Sequence, residues 1–164
     1  MNFIVRKTHK YLSFFISLQL LLWTVSGIYF AFNKIELVRG EQYLKQVEQS
    51  IDLGEFNFEI LGTTNIDIQK RLGKNIAVIK IDGVTQYLNT SGEPLTKLST
   101  SDAMDAVVAN THLSPILLEE IVDEQSGSEY RGRSLPIYKV QSKTNEGLDI
   151  NVYLNVFSGE VVAI

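Results

Sequence analysis

The chain has 164 residues, 15 Lys and Arg against 19 Asp and Glu, two histidines and no cysteine. Without cysteine no disulfide holds it, and its acidic balance argues against nucleic-acid binding, which wants a basic face. The charge is unevenly divided. Residues 1–32 carry Arg6, Lys7 and Lys10, a formal +3, and all acidic residues follow them, leaving the remainder at a formal −7.

The run Tyr11 to Phe32 holds no charged side chain. At about 1.5 Å per residue a helix of that length spans roughly 33 Å, the thickness of a bilayer's hydrocarbon core. A cleaved signal peptide has a shorter apolar core and a small-x-small cleavage site. Here Ser26-Gly27 is followed by bulky Ile28-Tyr29-Phe30, so the run reads as an anchor. The basic flank Arg6, Lys7, His9 and Lys10 places the N-terminus in the cytoplasm and the rest outside. Ser13, Ser17, Thr24 and Ala31 fall on one stripe beside Gly27, and Gln19 and Ser26 fall on another. Small residues let helices approach and an intramembrane Gln prefers a polar partner, so Ser13, Ser17, Gln19 and Gly27 are expected helix–helix contacts.

Glu41 to Ser50 is polar and helix-compatible, as in a stalk. Phe56, Phe58 and Ile60 alternate with polar residues, as in a half-buried strand. Thr64 and Asp67 are spaced like a capping box, which predicts a short helix to Leu72. Ile76 to Ile81 and Val84 to Asn89 predict strands joined by a tight turn at Asp82-Gly83. Ser99-Thr100-Ser101 opens a helix to about His112, with Ala103, Ala106, Val107 and Asn110 on its inner side. Ser114-Pro115 predicts a second helix to about Glu124. Gln125 to Arg133 reads as a loop and Leu135 to Ser142 as a strand. Leu148, Ile150, Val152, Leu154 and Val156 then alternate with Asp149, Asn151, Tyr153 and Asn155, the clearest strand signal in the chain. Ser158-Gly159 turns it back into Val161 to Ile164. Tyr87-Leu88-Asn89-Thr90-Ser91-Gly92-Glu93 is echoed by Tyr153-Leu154-Asn155, one extra residue, then Phe157-Ser158-Gly159-Glu160. Two related strand–turn–strand units would produce such an echo, and so would two ordinary Ser-Gly turns.

The C-terminal stretch, with Pro136-Ile137-Tyr138-Lys139-Val140, Asp149 to Asn155 and Ser158-Gly159-Glu160-Val161-Val162, resembles the PepSY family. Lys7-Thr8-His9-Lys10 with the later Ser26-Gly27-Ile28 resembles the PepSY-associated transmembrane helix, with Ser in place of the usual Thr. The resemblance covers roughly residues 5–33 and 100–164, and reaches 40–99 only through the echo. It implies a single N-terminal transmembrane helix plus an α+β extracytoplasmic domain, an antiparallel sheet with helices in two degenerate repeats. Residues 1–10 then form a cytoplasmic basic flank, 11–32 the transmembrane helix, 33–50 a juxtamembrane stalk, 51–99 a degenerate first unit and 100–164 the PepSY-like domain. The implied setting is the inner membrane of a bacterium, with a periplasmic domain. PepSY modules are associated with inhibition of peptidases, envelope protection and iron-regulated or reductase-like membrane systems.

No His-Glu-x-x-His, Cys-x-x-Cys, phosphate loop or Gly-x-Ser-x-Gly occurs. Asp102 with Asp105, and Glu119 and Glu120 with Asp123, read as solvated helix faces. The expectation is a non-enzymatic, single-pass protein that contacts an envelope protein or peptide, with no catalytic residue, metal or bound cofactor. Tyr130, Arg131, Arg133 and Tyr138 supply the aromatic and guanidinium groups typical of binding hot spots. The alternative is an accessory subunit of a membrane iron-uptake or redox system. There His9 would ligate haem, with the second axial ligand coming from a partner or a second copy.

Overall fold

The computed structural model describes residues 2–33, 35–46, 50–59 and 65–164. They form two units, Met1–Glu41 and Gln42–Ile164. The first is dominated by helix α1 (Asn2–Phe32), which carries the basic flank on the same helix as the apolar run. Its segment Phe3–Phe32 is long and apolar enough to cross a membrane, and none of it is buried within the protein. Thr24 Oγ1 donates back to the Leu20 carbonyl at 2.9 Å, so this hydroxyl is satisfied within its own helix. The helix stops at Asn33, whose backbone N and Nδ2 both donate to the Tyr29 carbonyl. A short helix α2 (Ile35–Val38) follows.

The second unit is α+β, with two antiparallel sheets. The first sheet has the order β1 (Asn65–Arg71), β2 (Lys74–Ile81), β3 (Val84–Leu88). Two-residue turns join its strands: Leu72-Gly73 and Asp82-Gly83, all with positive φ. That geometry matches the twist of the flanking strands. Ala77, Ile79 and Leu88 are buried on one face, under Phe56 and Phe58.

Two expectations fail here. Thr64 to Leu72 does not form a helix; Thr64 lies outside the described residues, and 65–71 pair with β2 from Asn65↔Lys80 to Arg71↔Lys74. Ile66 and Ile68 alternate with Asp67 and Gln69, and pairing along that period outweighs a local capping signal worth about 1 kcal/mol. Phe56 is extended, but among the described residues neither it nor Phe58 belongs to a ladder, and Ile60 lies outside the described residues. They form a strap after the 3₁₀ turn Leu53–Glu55, with ring centroids 6.0 Å apart, edge to face.

The second sheet has the order β4 (Ser114–Ile121), β5 (Ile137–Lys143), β6 (Asp149–Asn155), β7 (Val161–Ala163). Helix α3 (Thr100–Asn110) covers one face. Ser99 caps it, its Oγ accepting from Asp102 N at 3.1 Å, and Ala103, Ala106 and Val107 point inward as the spacing predicts. They meet Tyr138, Val140, Val152 and Leu154 in the main core. Tyr43 packs against the same core; its carbonyl accepts from His112 N, and Leu44 bridges Thr111.

The helix expected from Ser114-Pro115 to Glu124 is instead strand β4, in register with β5 from Leu117↔Gln141 to Ile121↔Ile137. Leu118 joins the α3-side core and Ile121, three residues on, joins a cluster on the opposite face, as a strand requires. β4 is an edge strand, where a proline's missing N–H is tolerated, and the register shifts between Pro115 and Leu117.

The alternation read in β6 is only half the account. Val152 and Leu154 are fully buried as expected, but Tyr153 on the other face is 3% exposed, and Leu148 is exposed. The segment 122–136 brings Tyr130 and Leu135 over that second face, against Ile137 and Tyr153. Both sides of this end of the sheet are therefore dry.

Candidate functional site

The most developed surface feature is the loop between β4 and β5, residues 122–136. Its backbone folds on itself: Ser128 N donates to the Gln125 carbonyl, Arg131 N to Ser128 and Arg133 N to Tyr130. Gly127 and Gly132 supply the positive φ these turns need. Gly132 N also approaches Glu124 Oε1 at 3.4 Å. Tyr130 is the anchor, 4% exposed, its ring 5.3 Å from Tyr153 and its hydroxyl donating to the Asp123 carbonyl. A second tie runs through Glu129, whose Oε2 accepts from the Tyr153 hydroxyl at 2.7 Å and from Asn151 Nδ2 at 3.5 Å. Burial and then the Glu129 hydrogen bond push the Tyr153 phenol well above its usual range. The outcome is a braced loop that holds the side chains of Arg131 and Arg133 in solvent.

The four expected contact residues are thus only partly together. Tyr130, Arg131 and Arg133 share the loop. Tyr138 does not belong with them: it sits in the α3-side core and donates to the Leu98 carbonyl at 2.9 Å. Burial raises its phenol pKa, with Glu120 adding to the effect. Both tyrosines bury most of their rings, so neither offers a surface hot spot; large aromatic bodies serve the core first. The exposed part of the expected surface is the arginine pair.

On α1, His9 is exposed, with Nδ1 3.4 Å from Ser13 Oγ. Ser13, Ser17, Gln19 and Gly27 are exposed along the same helix, and a Cβ added at Gly27 would meet nothing within 4 Å. Their surface is open to a neighbouring helix. Among the described residues, no group of three His, Asp or Glu side chains is placed to hold a metal ion.

Sequence reasoning missed two features. One is Arg71, at the rim of a groove of about 610 Å³ that also includes Lys74, Asn75, Asn89 and Asp102. Arg71 Nη1 donates to the Thr96 carbonyl at 2.8 Å; burial lowers its pKa and Asp102 opposes that shift. Its placement follows from β1 being a strand, which the capping-box signal concealed. The other is the open edge of β4, hidden by the helix reading of the same residues.

The PepSY resemblance rests on the residues quoted for it, because no protein-family model, no curated protein and no solved structure matches this chain.

Proposed function

We propose that this chain is a membrane-anchored, non-enzymatic contact module of PepSY-like character. In this reading α1 spans the inner membrane with the basic flank in the cytoplasm, and residues 42–164 act in the periplasm on a protein or peptide. The effect on that partner is regulatory, inhibitory or accessory. One observation carries the reading: Arg131 and Arg133 stand exposed on a loop whose neighbour Tyr130 is locked into the core. Rigid presentation lowers the entropy lost when a guanidinium is fixed on binding, and arginine is enriched among residues that dominate interface energies. The charge division supports the orientation, +3 before residue 33 and −7 after it. Replacing both arginines by alanine in the full-length, membrane-inserted protein should cut partner capture at least tenfold and leave insertion and thermal unfolding unchanged. Undiminished capture by that variant overturns the reading.

A second reading makes the protein an accessory subunit of an iron or redox system. It is favoured by the His9–Ser13 contact: in the tautomer whose Nδ1–H donates to Ser13 Oγ, Nε2 is the nitrogen left to ligate. His9 supplies one axial ligand, so a six-coordinate haem would need another from a partner or second copy. A Soret band in the purified protein that disappears in His9→Ala would favour it.

A further inference from the structure

We infer that the free edge of β4 accepts an extended, basic segment of the partner as an added antiparallel or parallel strand. The inference rests on the contact-module reading and locates a second part of the same interface, since β4 runs directly into the arginine loop. Four observations support it.

First, β4 is eight residues long and among the described residues pairs only with β5, which leaves a row of main-chain donors and acceptors on its other side without a partner from those residues. Sheet edges of this length are usually shortened, covered or marked with lysine, because they template further pairing. Second, the other three edges suit a basic strand less. β7 has three residues, β3 is partly covered by the Leu88–Pro94 bridge and the bond from Leu95 N to the Tyr87 carbonyl, and β1, seven residues long, ends in Lys70 and Arg71, which repel such a strand. Third, Ile116 and Leu117 are each 54% exposed along β4, while Leu118 and Ile121 tie the strand into the two cores. The edge is fixed in shape and presents apolar surface beside its open main chain. Strand addition uses both: the main chain for affinity and the side chains for specificity.

Fourth, charge selects the occupant. Residues 114–124 contain Glu119, Glu120, Asp123 and Glu124 and no base. Lys139 lies across the ladder from Glu119 and Lys97 pairs with Glu120, so two carboxylates' worth of charge is left to a partner. A second copy would bring the same carboxylates on a domain already at −7. A strand bearing lysine or arginine neutralises them instead.

The test uses the full-length protein in detergent micelles and an eight-residue peptide alternating lysine and valine, with a glutamate–valine peptide as control. Backbone amide exchange is followed with and without peptide. The lysine peptide should bind and slow exchange within residues 114–121. Asp123→Asn combined with Glu124→Gln, both at exposed positions, should weaken binding roughly fivefold at low salt and less at high salt. Equal binding by the glutamate peptide, or protection falling elsewhere, overturns the inference. Protection of β4 that rises with protein concentration in the absence of peptide also overturns it, in favour of a second copy. Arg131→Ala with Arg133→Ala separates this inference from the reading beneath it. If that variant loses the native partner while the lysine peptide never protects β4, the edge inference falls and the loop stands. If it keeps the partner while the peptide protects β4, the loop falls and the edge stands.

Discussion

The hydroxyl of Tyr87 accepts a hydrogen bond from Nδ2 of Asn155 at 2.7 Å, joining β3 of the first sheet to the end of β6 in the second. The Tyr87 ring also stacks on Phe157, with centroids 4.9 Å apart and planes 16° from parallel. Asn155 does more than reach across. Its Oδ1 accepts from Phe157 N and Ser158 N, and its backbone N donates to the Glu160 carbonyl. Asn89 holds the other turn in the same manner: Oδ1 accepts from Ser91 N and Glu93 N, and its backbone N donates to the Glu93 carbonyl. The echo in sequence is an echo in hydrogen bonding, with one residue more in the second turn.

Asn155→Ala should therefore cost about 2–3 kcal/mol, because it frees two backbone donors and the Tyr87 hydroxyl together. Tyr87→Phe keeps the stacked ring and should cost about 1 kcal/mol. In a double-mutant cycle read by chemical unfolding of the full chain, the two should couple by at least about 0.5 kcal/mol. Strict additivity would mean the bond does not join the sheets.

Gly83 and Gly92 have the same φ of 82°, but their surroundings differ. A Cβ at Gly83 meets nothing within 4 Å, whereas one at Gly92 comes within 2.9 Å of Phe58 Cβ and Cγ. Alanine at either position carries backbone strain of about 1 kcal/mol. Gly92→Ala should lose about 1–3 kcal/mol more, from displacing the Phe58 strap. Equal melting temperatures for the two variants would show that the strap does not pack there.

Val152 is fully buried, while Asn151 next to it is half-buried and bonded to Glu129. Val152→Asp should prevent folding or cost more than about 4 kcal/mol, since a carboxylate would enter an apolar core. Asn151→Asp should cost about 1 kcal/mol, through repulsion of Glu129. Similar unfolding midpoints for both would mean that β6 is out of register.

Tyr153 predicts the alkaline behaviour. Its phenol is raised above the ordinary value of 10.0 by burial and by Glu129. The folded state therefore holds this proton more tightly than the unfolded chain. The stabilisation is complete below pH 10 and is lost as pH rises above it, towards the folded-state value. Tyr153→Phe should be less stable than the wild type at neutral pH, yet lose less additional stability above pH 10. Parallel stability–pH curves for the two proteins would contradict this assignment.

These sites show how far the sequence could be read. The apolar run of α1, the Ser99 cap of α3, the Asp82-Gly83 turn and the alternation of β6 are local signals, and each led to the observed element. β1 and β4 are hard to read locally because good helix-start signals stand at their beginnings, Thr64 with Asp67 and Ser114-Pro115. In β1 the alternation of Ile66 and Ile68 with Asp67 and Gln69 competes with the cap signal, and long-range pairing with β2 and β5 decides both cases. The burial of Tyr130 and Tyr138 is not legible in the sequence for a related reason. Their burial depends on α3 and on a loop folding back over the sheet, while Arg131 and Arg133 are exposed, as the composition of the loop suggests.

The central claim is that an anchored domain meets its partner through the braced arginine loop. Its most direct test is photo-crosslinking in intact cells from positions 131 and 133 of the membrane-inserted chain. The account predicts a discrete adduct with an extracytoplasmic protein or peptide from these positions. The same adduct, formed from a probe at exposed Ser134, should be lost when Arg131 and Arg133 are both alanine, with the chain still inserted and folded. An unchanged Ser134-probe adduct in the double-alanine protein, together with loss of partner binding in His9→Ala, would contradict the account and favour the redox-accessory reading.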